Sequence, residues 1–274
     1  MLNKKMRNAN MKLCYKSKLF NIEGMSEDDH IYKDIVESKT FYEIDLLEYI
    51  LKIKSLLGSK EYKHSLVVDV GANIGNHSVF FGAFVADHII AVEPNPDVLS
   101  QLRRNLSKNI KDFTLYDCAV GDKKGRGDIN LPKNMVNNVG AARIDLTDAK
   151  GEIEIQTLDS VLSSWQKDNK PSCVSLLKID VEGMELQVLK GATNIISNHK
   201  PDIFTEAATS KEFNNIYNYL RPYGYKKMPG KWASTPVYHF VHKPVLINYI
   251  FAYMMQLKRI IIKIARRIKL YLTK

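Results

Sequence analysis

Five short apolar runs recur along the middle of the chain, and they constrain the fold more than any other feature. They lie at residues 66–70, 88–92, 113–116, 174–179 and 203–205. Strands that are apolar on both faces are typical of a parallel sheet that helices cover on both sides. A helical stretch at residues 41–57 precedes the runs, and helical stretches at residues 75–85, 96–107 and 184–190 separate several of them. The alternation predicts an α/β fold with an open, doubly wound sheet, whose ligands bind beyond the carboxyl ends of the strands.

Two segments depart from this alternation. Residues 127–157 contain the stretches GDINL and EIEIQTL, in which apolar and polar residues alternate. This period of two predicts a β-excursion inserted before the fourth strand. Residues 232–242 predict a last strand.

Cysteine usage and hydropathy indicate the cellular compartment in which we expect the protein. The chain has 274 residues, and its three cysteines, Cys14, Cys118 and Cys173, are odd in number and far apart. A disulfide framework or a zinc cluster is therefore not expected. The N-terminus lacks the apolar region of a secretory signal, and no uncharged apolar run reaches the roughly 18–20 residues that span a bilayer. We expect a cytoplasmic location.

The net charge of +10 is carried by the two ends of the chain. Residues 1–20 contain six Lys and Arg, residues 249–274 contain seven, and neither segment contains an acid. Residues 21–248 therefore carry a net charge of −3. A cleft that grips a nucleic-acid backbone more often has its positive charge in the body of the domain, so this distribution disfavours a nucleic-acid partner.

A glycine turn follows the first apolar run, in the sequence VDVGANIGN that ends at Asn76. Gly71 and Gly75 allow a tight turn into a helix, and Gly71 has no Cβ to obstruct a ligand. Free N–H groups at the start of that helix favour a carboxylate or a phosphate. The spacing Gly-x-x-x-Gly fits the dinucleotide fingerprint poorly, and a turn with only a structural role has the same sequence.

Acidic and polar residues follow the next two runs. Glu93 comes 22 residues after Gly71, where an acid can accept hydrogen bonds from both hydroxyls of a ribose. Its alternative role is that of an acid before Pro94 at the N-terminus of the next helix. Asp117 and Cys118 follow the third run, where they either meet an adenine amino group or belong to a simple turn.

Charged residues interrupt the fourth run. Lys178 and Asp180 lie two apart, so they share one face of the strand, and unpaired charges in a buried strand cost several kcal/mol. Glu182 follows directly, and Glu206 ends the fifth run in the same crevice. A reacting centre and a structural pair of lysine and carboxylate both fit this pattern.

Four motifs in this order, VVDVGANIGNHSVFF, AVEPNP, TLDSVL and LLKIDVEGMELQVLKGA, resemble the FkbM family of S-adenosylmethionine-dependent methyltransferases over about residues 41–242. The resemblance implies a class I, Rossmann-like methyltransferase fold, with a mostly parallel seven-stranded sheet and an antiparallel strand near its end. It implies that the cofactor is S-adenosyl-L-methionine, with residues 41–43 folded over it. The cofactor-binding residues implied are Asp69, Gly71, Ala72, Asn73, Gly75, Asn76, Glu93, Pro94, Asp117, Cys118 and Asp180.

The family resemblance places Asp180 and Glu182 at the reacting centre and implies a hydroxyl acceptor on a sugar or related product. A hydroxyl is a poor nucleophile at neutral pH, so a general base is expected. Asp180 or Glu182 is our candidate base, with Lys178 setting its ionisation, and His77 is the rival. A carboxylate cluster of Asp180, Glu182 and Glu206 would also suit a divalent metal such as Mg²⁺, which the sequence leaves open.

Two absences favour oxygen as the acceptor atom. Methylation of amino groups in nucleic acids typically uses an Asn/Asp-Pro-Pro-aromatic loop after the fourth strand, and no proline follows Asp180. Methylation of a cytosine carbon needs a cysteine nucleophile there, whereas Cys173 starts the strand at the opposite edge of the sheet.

We divide the chain into a basic N-terminal extension at 1–40, expected to be a flexible tail, a methyltransferase domain at 41–248 and a basic amphipathic helix at 249–274. A helical projection of the last segment gathers an apolar face and a basic face. The apolar face comprises Ile250, Met254, Leu257, Ile261, Ile264, Ala265, Ile268 and Leu272. This pattern predicts peripheral contact with an anionic membrane at its cytoplasmic face, while self-packing, a homodimer and RNA binding remain alternatives.

Three functional classes follow. The first is an O-methyltransferase that acts on a sugar or a cell-surface glycan precursor, in polysaccharide biosynthesis. The second is an RNA methyltransferase recruited by its basic ends, and the third is a non-catalytic adenosyl-binding protein. The intact glycine turn together with Glu93, Asp180 and Glu182 disfavours the third class. We expect residues 134–143 and the loop after Glu206 to select the acceptor.

Overall fold

The computed structural model describes residues 9–26, 29–57, 65–130, 143–147, 151–169, 173–233 and 235–272. Within these residues the strands form a central seven-stranded sheet, a four-stranded sheet and a two-stranded hairpin. The strands are β1 Ala9–Tyr15, β2 Lys18–Gly24, β3 Ser65–Val70, β4 His88–Val92, β5 Phe113–Tyr116, β6 Ala119–Val120, β7 Gly125–Asn130, β8 Arg143–Thr147, β9 Ile153–Gln156, β10 Cys173–Ile179, β11 Asp202–Glu206, β12 Tyr225–Lys227 and β13 Val237–His242. The α-helices are α1 His30–Ser38, α2 Ile44–Leu57, α3 Asn76–Phe84, α4 Pro96–Asn109, α5 Leu158–Asp168, α6 Glu185–Lys190, α7 Ser210–Leu220 and α8 Leu246–Leu272.

The central sheet has the order β12-β13-β11-β10-β3-β4-β5. Neighbours from β11 to β5 pair in parallel, and β13 runs antiparallel to both β11 and β12. The chain begins this sheet at β3, adds β4 and β5 on one side, and then returns to add β10 and β11 on the other. The strand order therefore reverses between β3 and β10, which is the point where such sheets bind ligands. The expected class I methyltransferase fold is confirmed.

The sheet separates two apolar layers, because successive side chains of a strand point to opposite faces. Val67, Ile89 and Leu176 pack on the side of α2, α3 and α4. Val68 and Ile90, the next residues along their strands, pack on the side of α5, α6 and α7. Both faces of the strands are buried, as the continuous apolar runs predicted.

The predicted excursion is a separate sheet of its own. It has the order β6-β9-β7-β8 and precedes β10, as expected. The proposed acceptor wall at 134–143 lies outside the described residues except for the backbone of Arg143. The apolar patterns of the sequence did not predict α5, α7 or the short edge strand β12.

The N-terminal extension is not a flexible tail where the structure describes it. Hairpin residues Leu13, Phe20 and Ile22 are fully buried in the core against α3 and α4. Phe20 contacts Phe41 edge to face, with ring centroids 5.0 Å apart. The basic composition hid this packing, because the apolar residues of a hairpin alternate with the cations instead of forming a run.

Two asparagines of α4 pair with the backbone of β2 as a neighbouring strand would. The Asn105 side chain accepts from the Glu23 N–H at 2.8 Å and donates to its carbonyl at 2.8 Å. The Asn109 side chain does the same with Asn21, at 2.7 and 2.8 Å. Residues four apart in a helix are separated by about 6.0 Å along its axis, and residues two apart in a strand by about 6.8 Å. The side-chain amides of Asn105 and Asn109 therefore reach two alternate residues of β2, Glu23 and Asn21.

A buried acid reinforces this junction. The Glu23 carboxylate accepts hydrogen bonds from Arg104 and Lys108 of α4, and the bond from Lys108 is the main cause of its lowered pKa. The negative charge of Glu23 is therefore compensated by two cations of the domain.

The C-terminal segment is helical from Leu246, three residues before the predicted start. Across the described part of the chain, no helix combines the length and the apolarity that crossing a bilayer demands.

We predict that Asn105→Ala lowers the free energy of unfolding by about 2–4 kcal/mol. The substitution leaves the Glu23 N–H, the Glu23 carbonyl and the Ile74 carbonyl without their buried partner. Urea unfolding followed by circular dichroism measures the change. Ser107→Ala on the exposed side of α4 is the control. Equal stability of the two variants would show that the hairpin does not depend on this pairing.

Candidate active site

One cleft of about 280 Å³ lies at the carboxyl edge of the sheet, where β3, β4, β10 and β11 end. Its volume is close to the lower end of the range for small-molecule sites, about 300–1,000 Å³. Most of the residues singled out from the sequence line it. They are Gly71, Ala72, Asn73, Asn76, His77, Glu93, Pro94, Cys118, Lys178, Asp180, Glu182 and Glu206. Asp69, Gly75 and Asp117 do not line it.

Gly71 is required by the protein's own backbone. It has a φ of +77°, and a Cβ there would lie 1.8 Å from the Asp180 carbonyl oxygen. The N–H groups of Gly71 and Ala72 both donate to the Val92 carbonyl, at 2.9 and 3.1 Å. These two donors are used within the protein, whereas the expectation for the N–H groups at the start of α3 stays a prediction. Gly71 instead lets the ends of β3 and β10 meet.

Gly75 has a packing role too. Its φ is +87°, and a Cβ there would lie 2.8 Å from Leu102 Cδ1 of α4. Gly75 therefore allows α3 and α4 to approach each other behind the cleft.

Asn73 connects the glycine turn to the next strand. Its φ of 50° lies in the left-handed region, which asparagine tolerates better than most residues. Its N–H donates to Glu93 Oε2 at 2.8 Å, and its Oδ1 accepts from the Ile74 N–H at 2.6 Å. The turn is thus closed around the Glu93 carboxylate.

Glu93 is buried, and each of its oxygens accepts one backbone hydrogen bond. Oε1 accepts from the Asn95 N–H at 2.9 Å, and Oε2 accepts from Asn73. A carboxylate offers about four acceptor positions, so each oxygen retains one for a ligand hydroxyl. Burial raises the pKa of Glu93, and donors from a ligand would stabilise its charged form. Glu93 is not a helix cap, because Asn95 caps α4.

The far end of the cleft is apolar. Cys118 is buried, and burial raises its pKa to about 12, so its thiol is neutral at physiological pH. Val98 and Val120 line the same region. Asp117, in contrast, is exposed.

Lys178 is the central charge of the site. It is 4% exposed, and its Nζ lies 3.4 Å from Asp69 Oδ1 and 3.4 Å from Asp180 Oδ2. The parallel register of β10 and β3 places Lys178 beside Asp69, while Ser78 donates to the other Asp69 oxygen at 2.6 Å. Burial disfavours the lysine charge, but the attraction of Asp69 and Asp180 outweighs it and raises the pKa of Lys178.

Asp180 and Glu206 form a hydrogen-bonded carboxyl pair. Burial opposes the charge of Asp180, but Lys178 and the hydrogen bond from Glu206 outweigh it and lower the pKa of Asp180. Burial and the Asp180 charge raise the pKa of Glu206 to about 9. At neutral pH Glu206 is therefore protonated and donates to the Asp180 carboxylate. The sequence had suggested Glu206 only as a neighbour and metal ligand.

Asp180, Glu182 and Glu206 each offer a ligand atom, and these atoms lie within 4.8 Å of one another. Lys178 offsets part of their charge, and Glu206 carries a proton at neutral pH. A divalent cation at this cluster would have to displace that proton or compete with the lysine. The donor set therefore gives no independent support for a metal, and we derive no step through one.

Glu185 holds the turn that carries Asp180 and Glu182. Its buried Oε1 accepts from the N–H groups of Val181 at 3.2 Å and Gly183 at 3.0 Å. Glu182 has a φ of 55° and Gly183 a φ of 109°, so the turn is left-handed at both positions.

A segment before α2 covers the cleft, as the family resemblance implied for residues 41–43. Asn76 fixes it, because its Oδ1 accepts from the Tyr42 N–H and its Nδ2 donates to the Tyr42 carbonyl, both at 3.1 Å. The Glu43 carboxylate lies 3.5 Å from His77 Nε2, and the His77 ring stacks on Tyr42. Burial and the charge of Lys178 lower the pKa of His77 to about 4, so its imidazole is neutral. Asn76 and His77 thus position the cover.

Other lining residues escaped the sequence reasoning. His30 and Ile31 of α1, and Thr235 and Val237 near the start of β13, reach the cleft from elements remote in the chain. No local motif marks them, because their proximity arises from the sheet order.

The chain resembles one protein family and several known proteins. The Methyltransferase FkbM domain model matches residues 69–227. Hexuronic acid methyltransferase AglP of Haloferax volcanii is 28% identical over 166 residues, which are 57% of this chain and 65% of that protein. Methyltransferase sdnD of Sordaria araneosa is 31% identical over 153 residues, 46% of this chain and 59% of that protein. This chain spans less than two thirds of the length of either relative.

Among solved structures, methyltransferase FkbM from Methylobacillus flagellatus KT is 20% identical, with a TM-score of 0.45. The match covers 71% of this chain and 48% of that one. The family model extends over more than half of the present chain and includes the carboxyl end of β3 and the whole of β4 and β10, whose carboxyl ends form the cleft. The chain belongs to the FkbM methyltransferase family.

Proposed function

We propose that this protein transfers the methyl group of S-adenosylmethionine to a hydroxyl oxygen of a sugar or glycan precursor. One observation carries the proposal, which is that two kinds of carboxyl site line the same cleft. Glu93 is a buried carboxylate with free acceptor positions. Asp180 and Glu206 are a carboxyl pair that shares one proton. The family membership supports methyl transfer. The hexuronic acid named for the AglP relative supports a sugar-type acceptor.

The described residues fit the cofactor. Glu93 can accept a hydrogen bond from each of two ribose hydroxyls, and the Cys118 end of the cleft is apolar enough to hold an adenine. Tyr42 and Glu43 line the cleft as well. When bound, S-adenosylmethionine supplies an electrophilic methyl group on a sulfonium.

Asp180 is the base in this proposal. Lys178 keeps it ionised at neutral pH, which is the form that can accept a proton. As the acceptor oxygen formed its bond to the methyl carbon, the carbon–sulfur bond would break with its electron pair going to sulfur, and the proton of the acceptor hydroxyl would pass to Asp180. Glu206 donates a hydrogen bond to Asp180 and holds it in place. His77 is the rival base, and its Nε2 lies 3.5 Å from the Glu43 carboxylate.

The charge around the cleft disfavours RNA as the acceptor. Carboxylates of Asp180, Glu182 and Glu43 line it and would repel phosphates, and Lys178 is already paired. A non-catalytic role would not require the proton-sharing pair of Asp180 and Glu206.

We predict that Glu93→Ala raises the Kd for S-adenosylhomocysteine by about 100-fold or more. It removes two charge-assisted hydrogen bonds to the ribose, each worth about 1.5–3 kcal/mol. Calorimetric titration measures the change, with Asp122→Ala at an exposed position as the control. Unchanged affinity in Glu93→Ala would remove the assigned ribose site.

We predict that Asp180→Asn lowers kcat by about 10²–10⁴-fold, the usual contribution of a general base. The assay incubates the protein with methyl-labelled S-adenosylmethionine and with separate fractions of glycans, nucleotide sugars and RNA. We expect label in a sugar-containing fraction. Label in RNA alone would refute the acceptor class, and a greater loss in Glu182→Gln than in Asp180→Asn would move the base to Glu182.

We predict that activity falls as the pH rises through about 9, because Glu206 then ionises beside the Asp180 charge. Glu206→Gln keeps a hydrogen-bond donor to Asp180 but cannot ionise. This variant should stay active and lose the alkaline fall, whereas Glu206→Ala should lose activity at every pH. A profile of kcat from pH 6 to 10.5 tests this, and an alkaline fall that persists in Glu206→Gln would contradict it.

A further inference from the structure

The C-terminal helix α8 is attached to the domain by one face near its start. Ala252 is fully buried, and the Phe251 ring stacks on Tyr49 with centroids 6.2 Å apart. Farther along, the Arg259 guanidinium lies over Trp232, donates to the Lys231 carbonyl at 2.6 Å and pairs with Asp45 at 3.2 Å. These contacts fix the direction of the helix as it leaves the domain.

The apolar stripe predicted from the sequence lies on a different face and is exposed. Six residues with a spacing of three and four positions form it, and each is at least 44% exposed. They are Ile250, Met254, Leu257, Ile261, Ile264 and Ile268. The flanking Tyr253, Ile260 and Ile262 are exposed as well, so the apolar surface is wider than the stripe. Self-packing therefore does not account for these side chains in the described part of the chain.

The charged side chains in the C-terminal part of the chain are all cations. No Asp or Glu occurs after Glu212, while residues 213–274 contain twelve Lys and Arg. Arg259 is paired with Asp45 of α2, but α8 has no acid of its own to pair with its other cations.

A second copy of the chain is a poor occupant of this face. The spacing of the stripe resembles that of a coiled-coil seam, but such seams are flanked by residues of opposite charge that pair across the two helices. Two copies of α8 would bring only cations together, and the wide apolar surface would remain partly uncovered. An anionic surface complements both the apolar residues and the cations.

We infer that α8 docks the protein onto the surface of an anionic lipid bilayer. The helix lies in the plane of the headgroups, with the apolar stripe inserted at the boundary with the acyl chains and the cations against the lipid charges. Among the described residues no helix can cross a membrane, so the contact is peripheral.

Docking would place the cleft near the bilayer. Arg259 of α8 pairs with Asp45, which is two residues from Glu43 in the cleft wall. Arg259 also lies over Trp232, which exchanges backbone hydrogen bonds of 3.0 and 2.9 Å with Val237, another residue of the cleft wall. A lipid-linked sugar is then the acceptor class that the position favours. This last consequence rests on the proposed function, whereas docking itself does not.

Sedimentation with vesicles tests the docking. The full chain is mixed with vesicles of phosphatidylcholine alone or with 30% phosphatidylserine (about one charged lipid in three), at low and high salt. We expect binding to the anionic vesicles only, and at least a tenfold weaker partition at high salt, because salt screens exposed charges.

Two double variants, each with two apolar residues changed to Asn, distinguish loss of the docking surface from a general loss of exposed apolar side chains. Ile261→Asn with Ile264→Asn changes the stripe, and Leu19→Asn with Val36→Asn changes exposed apolar residues elsewhere. We expect the first pair to weaken vesicle binding at least tenfold and the second to leave it unchanged. Unfolding midpoints and calorimetric binding of S-adenosylhomocysteine should match the parent protein in both, so failure of the cofactor site is detected separately.

Three results would overturn the inference. The first is absence of binding to anionic vesicles. The second is a dimer in light scattering that the Ile261→Asn and Ile264→Asn pair dissociates, which would make a second copy the occupant. The third is displacement of the protein from vesicles by RNA at equal charge concentration with tighter binding to RNA, which would make RNA the occupant.

Discussion

The buried ammonium of Lys178 is the interaction on which the site depends. It stands between Asp69 on β3 and Asp180 at the end of β10, and it contacts the Gly71 carbonyl at 3.4 Å. Removing one partner of such a buried pair leaves an uncompensated charge, which costs several kcal/mol. The lysine therefore ties together the two strands between which the sheet order reverses. It also determines which carboxyl group is ionised, because its charge favours ionisation of Asp180 and leaves the shared proton on Glu206.

Several glycine and polar residues around this pair serve to position other groups. Gly71 lets β3 meet the Asp180 carbonyl, Asn76 holds the covering segment, and Glu185 holds the turn after Asp180. Each uses its hydrogen-bonding capacity, or its lack of a side chain, within the protein. Glu93 is different, because its two protein hydrogen bonds leave acceptor positions that face the cleft. The division between groups that hold the backbone and groups that face the ligand follows from counting the partners of each polar atom.

The two basic ends of the chain meet different surroundings. Near the N-terminus, Arg104 and Lys108 of α4 compensate Glu23, and the side chains of Asn105 and Asn109 satisfy the edge of β2, so the hairpin becomes part of the domain. At the C-terminus, α8 has only its initial face packed, and the apolar stripe from Ile250 to Ile268 is exposed. Similar composition thus leads to a packed element in one case and an open surface in the other, because the partner residues differ.

The sequence by itself determined the local elements and the end of the sheet at which the site lies. The apolar runs identify strands such as β3 and β10, the glycine turn and Glu93 follow them directly, and the charges at Lys178 and Asp180 interrupt a strand that is otherwise apolar. The tertiary structure alone decided the partners of these groups. The proton of Glu206, the contact of Gly71 with Asp180, the cover by Tyr42 and the exposed face of α8 all join residues far apart in the chain or depend on packing around them. A local pattern reports which face of an element is apolar, but only the assembled sheet and helices determine what that face contacts and which charges are buried together.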